Sequence, residues 1–170
     1  MSQGNNIKVL ARFRPQNSRE IQEGGVEIVE ITDHTAVHIK SDEFKGTFAF
    51  DRCFGKATTQ AEFFEYAVRP TLDDVFNGYN GTVFCYGQTG SGKTFTMMGG
   101  DIEDEELKGV IPRIVEGIFT RILESPPTFE YMVEVSYMEI YMERIRDLLE
   151  TKPGQSTNLQ IHESKTQGVY

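Results

Sequence analysis

The stretch that decides the fold is Gly87-Gln88-Thr89-Gly90-Ser91-Gly92-Lys93-Thr94, which fits the pattern G-x-x-x-x-G-K-[ST]. It follows the apolar run 82–86 (TVFCY) and precedes residues 95–98 (FTMM). The β-branched and aromatic run predicts a strand that is covered on both faces, and the residues after the motif predict a helix. A strand, a glycine-rich loop and a helix in that order indicate a phosphate-binding loop (P-loop).

Each residue type in this motif has a chemical reason. The glycines at 87, 90 and 92 permit positive φ, so backbone N–H groups can surround a phosphate without interference from a Cβ atom. Lys93 offers a cation to the β- and γ-phosphates, and the hydroxyl of Thr94 is a hard oxygen ligand for Mg²⁺. The motif therefore predicts nucleotide binding with Mg²⁺. The full set of candidate phosphate-binding residues is Gly87, Gln88, Thr89, Gly90, Ser91, Gly92, Lys93 and Thr94.

Composition restricts the class of protein. The chain has 170 residues, of which 38% are hydrophobic and 25% are charged, as in an ordinary folded domain. Residues 1–100 carry 10 basic and 12 acidic side chains, and residues 101–170 carry 7 and 14. Acidic residues outnumber basic ones in both parts, so the chain lacks the excess of basic residues expected of a nucleic-acid-binding protein. No apolar run approaches the ~18 residues of a membrane span. Because there are only two cysteines, we expect a reducing, cytoplasmic location.

The rest of the chain alternates between strand and helix patterns, which predicts an α/β fold. We expect turns at Asp33-His34 and Lys45-Gly46. We also expect a helix with Thr58 or Thr59 as its N-cap, the latter forming a capping box with Glu62, and a break in that helix near Pro70. The segments with these patterns are 7–13 (a buried strand), 26–31, 36–39, 47–50 and 128–141 (strands), 59–76 and 111–122 (helices), and 159–162 (the start of a strand).

The residues alone leave hydrolysis open. A P-loop NTPase also needs a carboxylate at the end of a strand near the metal. The nearest candidate is Asp51, which precedes the P-loop, whereas Glu139 lies within a predicted strand. Two alternatives are therefore a nucleotide-binding module without turnover and a small P-loop kinase of metabolites. The kinase fits less well, because 86 residues precede Gly87 and such enzymes usually place the loop near the N-terminus.

Several stretches of the chain resemble kinesin motor domains. Residues 79–86 (YNGTVFCY), continuing into GQTGSGKT and then FTM, resemble the ATP site of that family, and Arg12-Phe13-Arg14-Pro15 resembles its R-x-R-P motif. Residues 109–113, 135–141 and 145–149 fit the same pattern, so the resemblance covers 7–170 and is most similar to the conventional, fungal-type kinesin heavy chains. It implies a P-loop NTPase fold with a kinesin-type mixed central sheet flanked by helices, incomplete in this chain.

The resemblance also implies a function. It implies an ATP-dependent microtubule motor, a microtubule-stimulated ATPase in which residues 87–94 bind ATP or ADP with Mg²⁺ and Thr94 contacts the metal. Arg12, Arg14 and Pro15 would border the adenine. Phe95 stands where the family often has a histidine, which retains a flat surface near the base but removes a titratable donor.

The resemblance further implies partners. Arg144, His162 and Lys165 match positions that are basic or histidine in relatives, in the lobe that contacts β-tubulin. We therefore expect a microtubule partner, a cytoskeleton-associated location and a homodimer for the full-length protein, with neither nucleic-acid binding nor membrane insertion.

One departure from the family concerns catalysis. The switch I pattern N-x-x-S-S-R-S-H, the switch II pattern D-L-A-G-S-E and the neck linker do not occur in these 170 residues. We therefore expect residues 1–170 to be the N-terminal part of a kinesin motor domain. We expect this part to fold poorly alone and to lack hydrolytic activity until it joins the remainder of the motor domain.

Overall fold

A computed structural model of the chain describes residues 7–151, 159–164 and 168–169. The described residues fall into two compact units that divide between Ser125 and Pro126. The first unit contains β1 (Leu10–Arg12), α1 (Ser18–Gln22), β2 (Val29–Thr32), β3 (Ala36–Lys40), β4 (Lys45–Ala49), β5 (Arg52–Phe54), α2 (Gln60–Ala67), α3 (Arg69–Phe76), α4 (Lys93–Met97) and α5 (Val110–Glu124). The second unit contains β6 (Met138–Tyr141), β7 (Arg144–Asp147), β8 (Glu163–Ser164) and β9 (Gly168–Val169).

Two small sheets form the strand layer of the first unit. β1 and β5 pair in parallel, with Ala11 opposite Cys53, and β2, β3 and β4 form an antiparallel meander. The buried strand predicted for residues 7–13 is shorter and only half-buried, since β1 has three residues and Ile7 is exposed. The predicted turn at Asp33 and His34 is confirmed, because both residues adopt positive φ (52° and 58°) between β2 and β3.

The second predicted turn, at Lys45-Gly46, is wrong. Those two residues belong to β4 and pair with Lys40 and Ile39 of β3. The turn lies one step earlier, where the N–H of Ser41 donates to the carbonyl of Phe44 at 2.8 Å. A Cβ atom at Gly46 would lie 2.6 Å from the ring of Phe44, so a larger residue there would require that ring to move.

The hydrophobic core lies between β5 and the helices α2, α3 and α5. The predicted capping box is confirmed, since the Thr59 side chain accepts from the N–H of Glu62 while the Glu62 carboxylate accepts from the N–H of Thr59. The predicted break is also confirmed. α2 ends before Val68 and α3 begins at Arg69, with Pro70 in its first turn, where the missing N–H of proline has no cost. The buried core residues are Phe54, Phe63, Phe64, Val68, Leu72 and Val110.

α5 confirms the helix predicted over 111–122 and ends before the Pro126-Pro127 pair. Ile114 and Ile118 pack against the core, four residues apart on one face of the helix. Among the helices of the described residues, none is both long and apolar enough to span a membrane.

The strand predicted for residues 82–86 is wrong. The segment is extended but pairs with no other strand among the described residues, and Phe84 and Tyr86 are 83% and 90% exposed. Val83 and Cys85 are half-buried, so the segment keeps the two-residue alternation of a strand. It fails to form one because the stability of a strand comes from a hydrogen-bonded neighbour, which residue composition cannot supply.

In the second unit, too, a predicted strand forms only where it has a pairing partner. The strand predicted for 128–141 forms only over β6, which pairs with β7 through a tight connection where Met142 and Glu143 have positive φ. An ion pair between Arg146 and Glu139 (3.0 Å) joins the two strands. The strand predicted to start within 159–162 begins instead at Glu163.

Truncation of Leu72, which is 3% exposed in the core, should destabilise the first unit. We expect Leu72→Ala to lower the free energy of unfolding by about 2–5 kcal/mol, through lost burial and the cavity it leaves. Urea denaturation followed by circular dichroism measures this change. The matched control is Leu123→Ala on α5, where the side chain is 86% exposed and we expect a change within about 0.5 kcal/mol. Equal effects of the two substitutions would contradict the assigned core.

Candidate phosphate-binding site

The backbone of residues 87–92 connects the extended segment to α4 in a shape that requires glycine. Gly92 is the N-cap of α4 and has φ of 100°, in the left-handed region that disfavours a side chain. A Cβ atom at Gly87 would collide with the side chain of Ser91. The N–H of Ser91 donates to the carbonyl of Gln88 at 3.1 Å and closes the loop. The structure therefore places the motif residues in a compact loop directly before a helix.

Lys93 and Thr94 supply the side-chain chemistry of this loop. The ammonium of Lys93 donates to the carbonyls of Gly87 and Gln88, both at 2.8 Å, so its charge lies over the loop. Thr94 is exposed in the first turn of α4, and no side chain caps that turn. The loop thus offers a cation, a hydroxyl and the positive end of a helix at one place.

Arg12 lies beside the loop and faces inward. Its guanidinium lies between the rings of Phe63 and Phe95, 4.7 Å and 5.6 Å from their centroids. It donates to the hydroxyl of Thr96 at 3.1 Å and to the carbonyl of Thr58 at 3.5 Å. Burial lowers the pKa of Arg12 from its usual range. The structure therefore brings Arg12 and Phe95 together, and Phe95 stays 45% exposed.

Gln60 is a buried polar residue that the sequence analysis missed. Its side chain is 4% exposed, and its carbonyl accepts from Arg12 at 2.8 Å. Its amide donates to the carbonyls of Phe95 at 2.7 Å and of Leu107 at 3.3 Å. Gln60 thus joins β1, α4 and the loop that follows α4. A polar residue just after a helix cap is ordinary, so no sequence signal distinguished it.

Arg14 contacts the P-loop from the other side. Its Nε donates to the carbonyl of Gly90 at 2.7 Å, and its two terminal nitrogens donate to the two carboxylate oxygens of Glu20. Pro15 is exposed, and its carbonyl also accepts from Arg14, at 2.8 Å. Glu20 belongs to a capping box with Asn17 at the start of α1. The sequence analysis missed this helix, although asparagine followed three residues later by glutamate is a helix-start signal.

The acidic loop between α4 and α5 ends at Lys108, whose side chain is 3% exposed. Its ammonium bonds to the carboxylates of Glu105 (2.6 Å) and Glu116 (2.5 Å), which raise the pKa of Lys108. Arg113 donates to the carbonyls of Lys108 and Glu105. These contacts fix the end of the loop against α5, close to the point where Gln60 contacts Leu107.

The three candidate tubulin contacts belong to the second unit. Arg144 begins β7 and His162 precedes β8, and both are exposed. The N–H of Leu159 donates to the carbonyl of Ile145 at 3.1 Å, so the chain returns to β7 before it reaches His162. Lys165 lies outside the described residues.

No group of three or more His, Cys, Asp or Glu side chains gathers into a metal site in the described part of the chain. Thr94, the metal ligand expected from the motif, is exposed in the first turn of α4.

Comparison with known proteins gives concordant results. The family described as "Kinesin motor domain" matches residues 12–170. The chain is 61% identical to a kinesin heavy chain of Syncephalastrum racemosum and 55% identical to one of Gibberella moniliformis, over 98% and 100% of its length. It spans 18% of the length of each relative. A solved structure of a fast kinesin matches with a TM-score of 0.90 and 56% identity, over 96% of this chain and 46% of that chain.

Removal of the Gln60 side chain should destabilise the first unit. Gln60→Ala leaves two carbonyls and the Arg12 guanidinium without a buried partner, and we expect the free energy of unfolding to fall by about 1–3 kcal/mol. Urea denaturation measures this change in the free energy of unfolding. The matched control is Gln22→Ala, because the side chain of Gln22 is exposed. Indistinguishable midpoints for the two variants would contradict the role assigned to Gln60.

The Glu20–Arg14 pair should make stability depend on pH. Bonds from Arg14 and from the N–H of Asn17 lower the pKa of Glu20 from 4.5 to about 2. The ionised Glu20 carboxylate therefore stabilises the folded chain fully at a pH above the pKa that Glu20 has in the unfolded chain, and this stabilisation is lost as the pH falls toward 2. We expect the difference in urea midpoint between the unsubstituted chain and Glu20→Gln to be largest near neutral pH and to shrink below about pH 4.5. Glu23→Gln, which removes a carboxylate of the same helix that pairs with Arg19, is the control. A difference that does not change with pH would refute the assignment.

Proposed function

The chain belongs to the kinesin motor domain family, and on this premise we propose that it is the nucleotide-binding part of an ATP-dependent microtubule motor. The observation that carries the proposal is the geometry of residues 87–94, where a glycine-shaped loop, the Lys93 ammonium and the uncapped first turn of α4 converge. This arrangement suits the phosphate chain of ATP or ADP better than any other common ligand.

The residues of the loop fit a nucleotide with Mg²⁺. Gly87 lets the Ser91 side chain lie against the loop backbone, where a Cβ atom would collide, and Lys93 can transfer its hydrogen bonds from the loop carbonyls to phosphate oxygens. The exposed hydroxyl of Thr94 would hold Mg²⁺. When bound, the metal ion neutralises charge on the β- and γ-phosphates.

The base would lie on the other side of the loop, beside Phe95. Phe95 is partly exposed and offers an apolar ring for stacking, and the Arg12 guanidinium lies 5.6 Å from the centroid of that ring. Pro15 is exposed next to Arg14, so both can border the adenine as well. Phe95 cannot donate a hydrogen bond, so we infer that recognition of the base rests on stacking and shape.

We propose that the second unit contacts the microtubule through Arg144, His162 and Lys165. The exposure of the first two supports this, and the acidic balance of residues 101–170 means that such a contact must be local. In the whole protein we propose coupling of hydrolysis to movement along microtubules, a homodimer, and a cytoplasmic, cytoskeleton-associated location. We propose neither a nucleic-acid partner nor insertion into a membrane.

We propose that hydrolysis depends on sequences beyond these residues. The switch I and switch II patterns of the family do not occur among residues 1–170. The described residues also hold no group of three or more His, Cys, Asp or Glu side chains that could bind a metal ion. In this proposal residues 1–170 are the N-terminal part of a motor domain, and its remainder is their partner. The alternative is a non-catalytic nucleotide-binding module, which has the same P-loop but no turnover in any context.

Substitution of Lys93 tests the binding site directly. We expect Lys93→Ala to weaken the binding of Mg-ATP by about 10- to 100-fold, the range for loss of a hydrogen bond from a charged group. Equilibrium titration with a fluorescent ATP analogue measures this change. The matched control is Lys45→Ala, which removes an exposed cation from β4. Unchanged affinity in Lys93→Ala would refute the site.

A chimera separates the motor from the non-catalytic alternative. Residues 1–170 would replace the corresponding part of the Syncephalastrum racemosum kinesin heavy chain, and phosphate release would be measured with and without microtubules. We expect stimulated release from the chimera, its loss in the Lys93→Ala chimera, and none from the 170-residue chain. A chimera that binds Mg-ATP without turnover would favour the non-catalytic module.

A further inference from the structure

A continuous set of bonds connects α1 to the P-loop, and no step of the proposed function uses it. We propose that Glu20 is a positioning residue of the nucleotide site, which acts through Arg14 on the Gly90 carbonyl and so sets the shape of the loop that receives the phosphate chain. This inference rests on the proposed nucleotide binding and adds a residue that does not itself touch the nucleotide.

The geometry of Arg14 carries the argument. Its Nε donates to the Gly90 carbonyl at 2.7 Å, while Nη1 and Nη2 donate to the two oxygens of Glu20 at 2.7 Å and 2.5 Å. Nη1 also donates to the carbonyl of Pro15. A two-point contact between a planar guanidinium and a carboxylate fixes orientation as well as distance. The direction of the Nε–H bond is therefore determined by Glu20.

The position of Glu20 is itself fixed. Its Oε2 accepts from the N–H of Asn17 at 2.9 Å, and its own N–H donates to the Asn17 side chain at 2.9 Å. The carboxylate thus closes the first turn of α1 and bonds to Arg14 with the same oxygen. Because these bonds lower the pKa of Glu20 and raise that of Arg14, both groups are charged at neutral pH.

The orientation of the Gly90 carbonyl affects the shape of the loop. A peptide group is planar, so a bond that fixes this carbonyl also fixes the N–H of Ser91 in the same peptide. That N–H donates to the carbonyl of Gln88 and closes the loop. Loss of the Arg14 bond would release one end of this peptide and let the loop adopt shapes that bind phosphate less well.

This role differs from the adenine contact that the family resemblance implies for Arg14. A guanidinium that acts on the loop should affect any ligand with a phosphate chain, whereas one that acts on the base should affect only nucleotides. Inorganic tripolyphosphate, which has no base, therefore distinguishes the two roles.

The test compares the binding of Mg-tripolyphosphate and Mg-ATP by isothermal titration calorimetry in the full chain and its variants. We expect Glu20→Gln to weaken the binding of both ligands by a similar factor of about 3- to 30-fold, which is the range for residues that act through a neighbour. Arg14→Lys, which keeps the charge but cannot make the two-point contact, should weaken the binding of both ligands as well.

Two matched controls exclude a general effect on α1. Glu23→Gln removes a carboxylate at the end of the same helix that pairs with Arg19, and Arg19→Gln removes the other side of that ion pair. We expect both to bind like the unsubstituted chain. Hydrogen exchange should also be faster over residues 88–92 in Glu20→Gln than in either control.

Three results with the variants would overturn the inference. One is binding by Glu20→Gln that equals that of Glu23→Gln, and a second is a loss that affects Mg-ATP alone. A third is an equal loss in Arg19→Gln, which would assign the effect to the helix and not to the carboxylate. If Lys93→Ala abolishes binding while Glu20→Gln does not change it, the proposed function stands and this inference fails. If the unsubstituted chain binds neither ligand, both fail.

Discussion

The half-buried guanidinium of Arg12 is the interaction on which the first unit depends. It ends β1, lies close to the rings of Phe63 of α2 and Phe95 of α4, and bonds to Gln60. A cation that is partly removed from water needs partners that replace the lost hydration, and burial lowers the pKa of Arg12 accordingly. The strand and the two helices must therefore stay at the distances that these partners require. The core behind them, from Phe54 to Val110, packs within that frame.

The P-loop depends on the same short stretch of chain. Arg12 and Arg14 are two residues apart in extended backbone, which places them on one side of the chain. Arg12 contacts α4 after the loop through Thr96, and Arg14 contacts the loop itself at Gly90. One strand end thus positions the loop and the helix that follows it. The capping box at the start of α1 is also connected to the loop, because its Glu20 bonds to Arg14.

These contacts explain why the loop keeps its shape although the residues before it form no strand. Residues 82–86 are extended with two aromatic rings exposed, yet Lys93 bonds to the carbonyls of Gly87 and Gln88 and closes the loop from the helix side. The shape of the loop rests on the bonds that Lys93 of α4 and Arg14 make to its carbonyls.

Features that depend on near neighbours were determined by the sequence alone. The passage from the glycine-rich loop into α4, the capping box of Thr59 and Glu62, the turn at Asp33-His34 and the helix α5 all rest on interactions within a few residues, and all appear as predicted. Only the tertiary structure decided the strands and the positioning residues. Whether 82–86 or 128–141 forms a ladder depends on a partner elsewhere in the chain, and periodicity carries no information about that partner. Gln60 meets Arg12 across 48 residues and Gly90 meets Arg14 across 76, so their roles arise only when the folded chain brings them together.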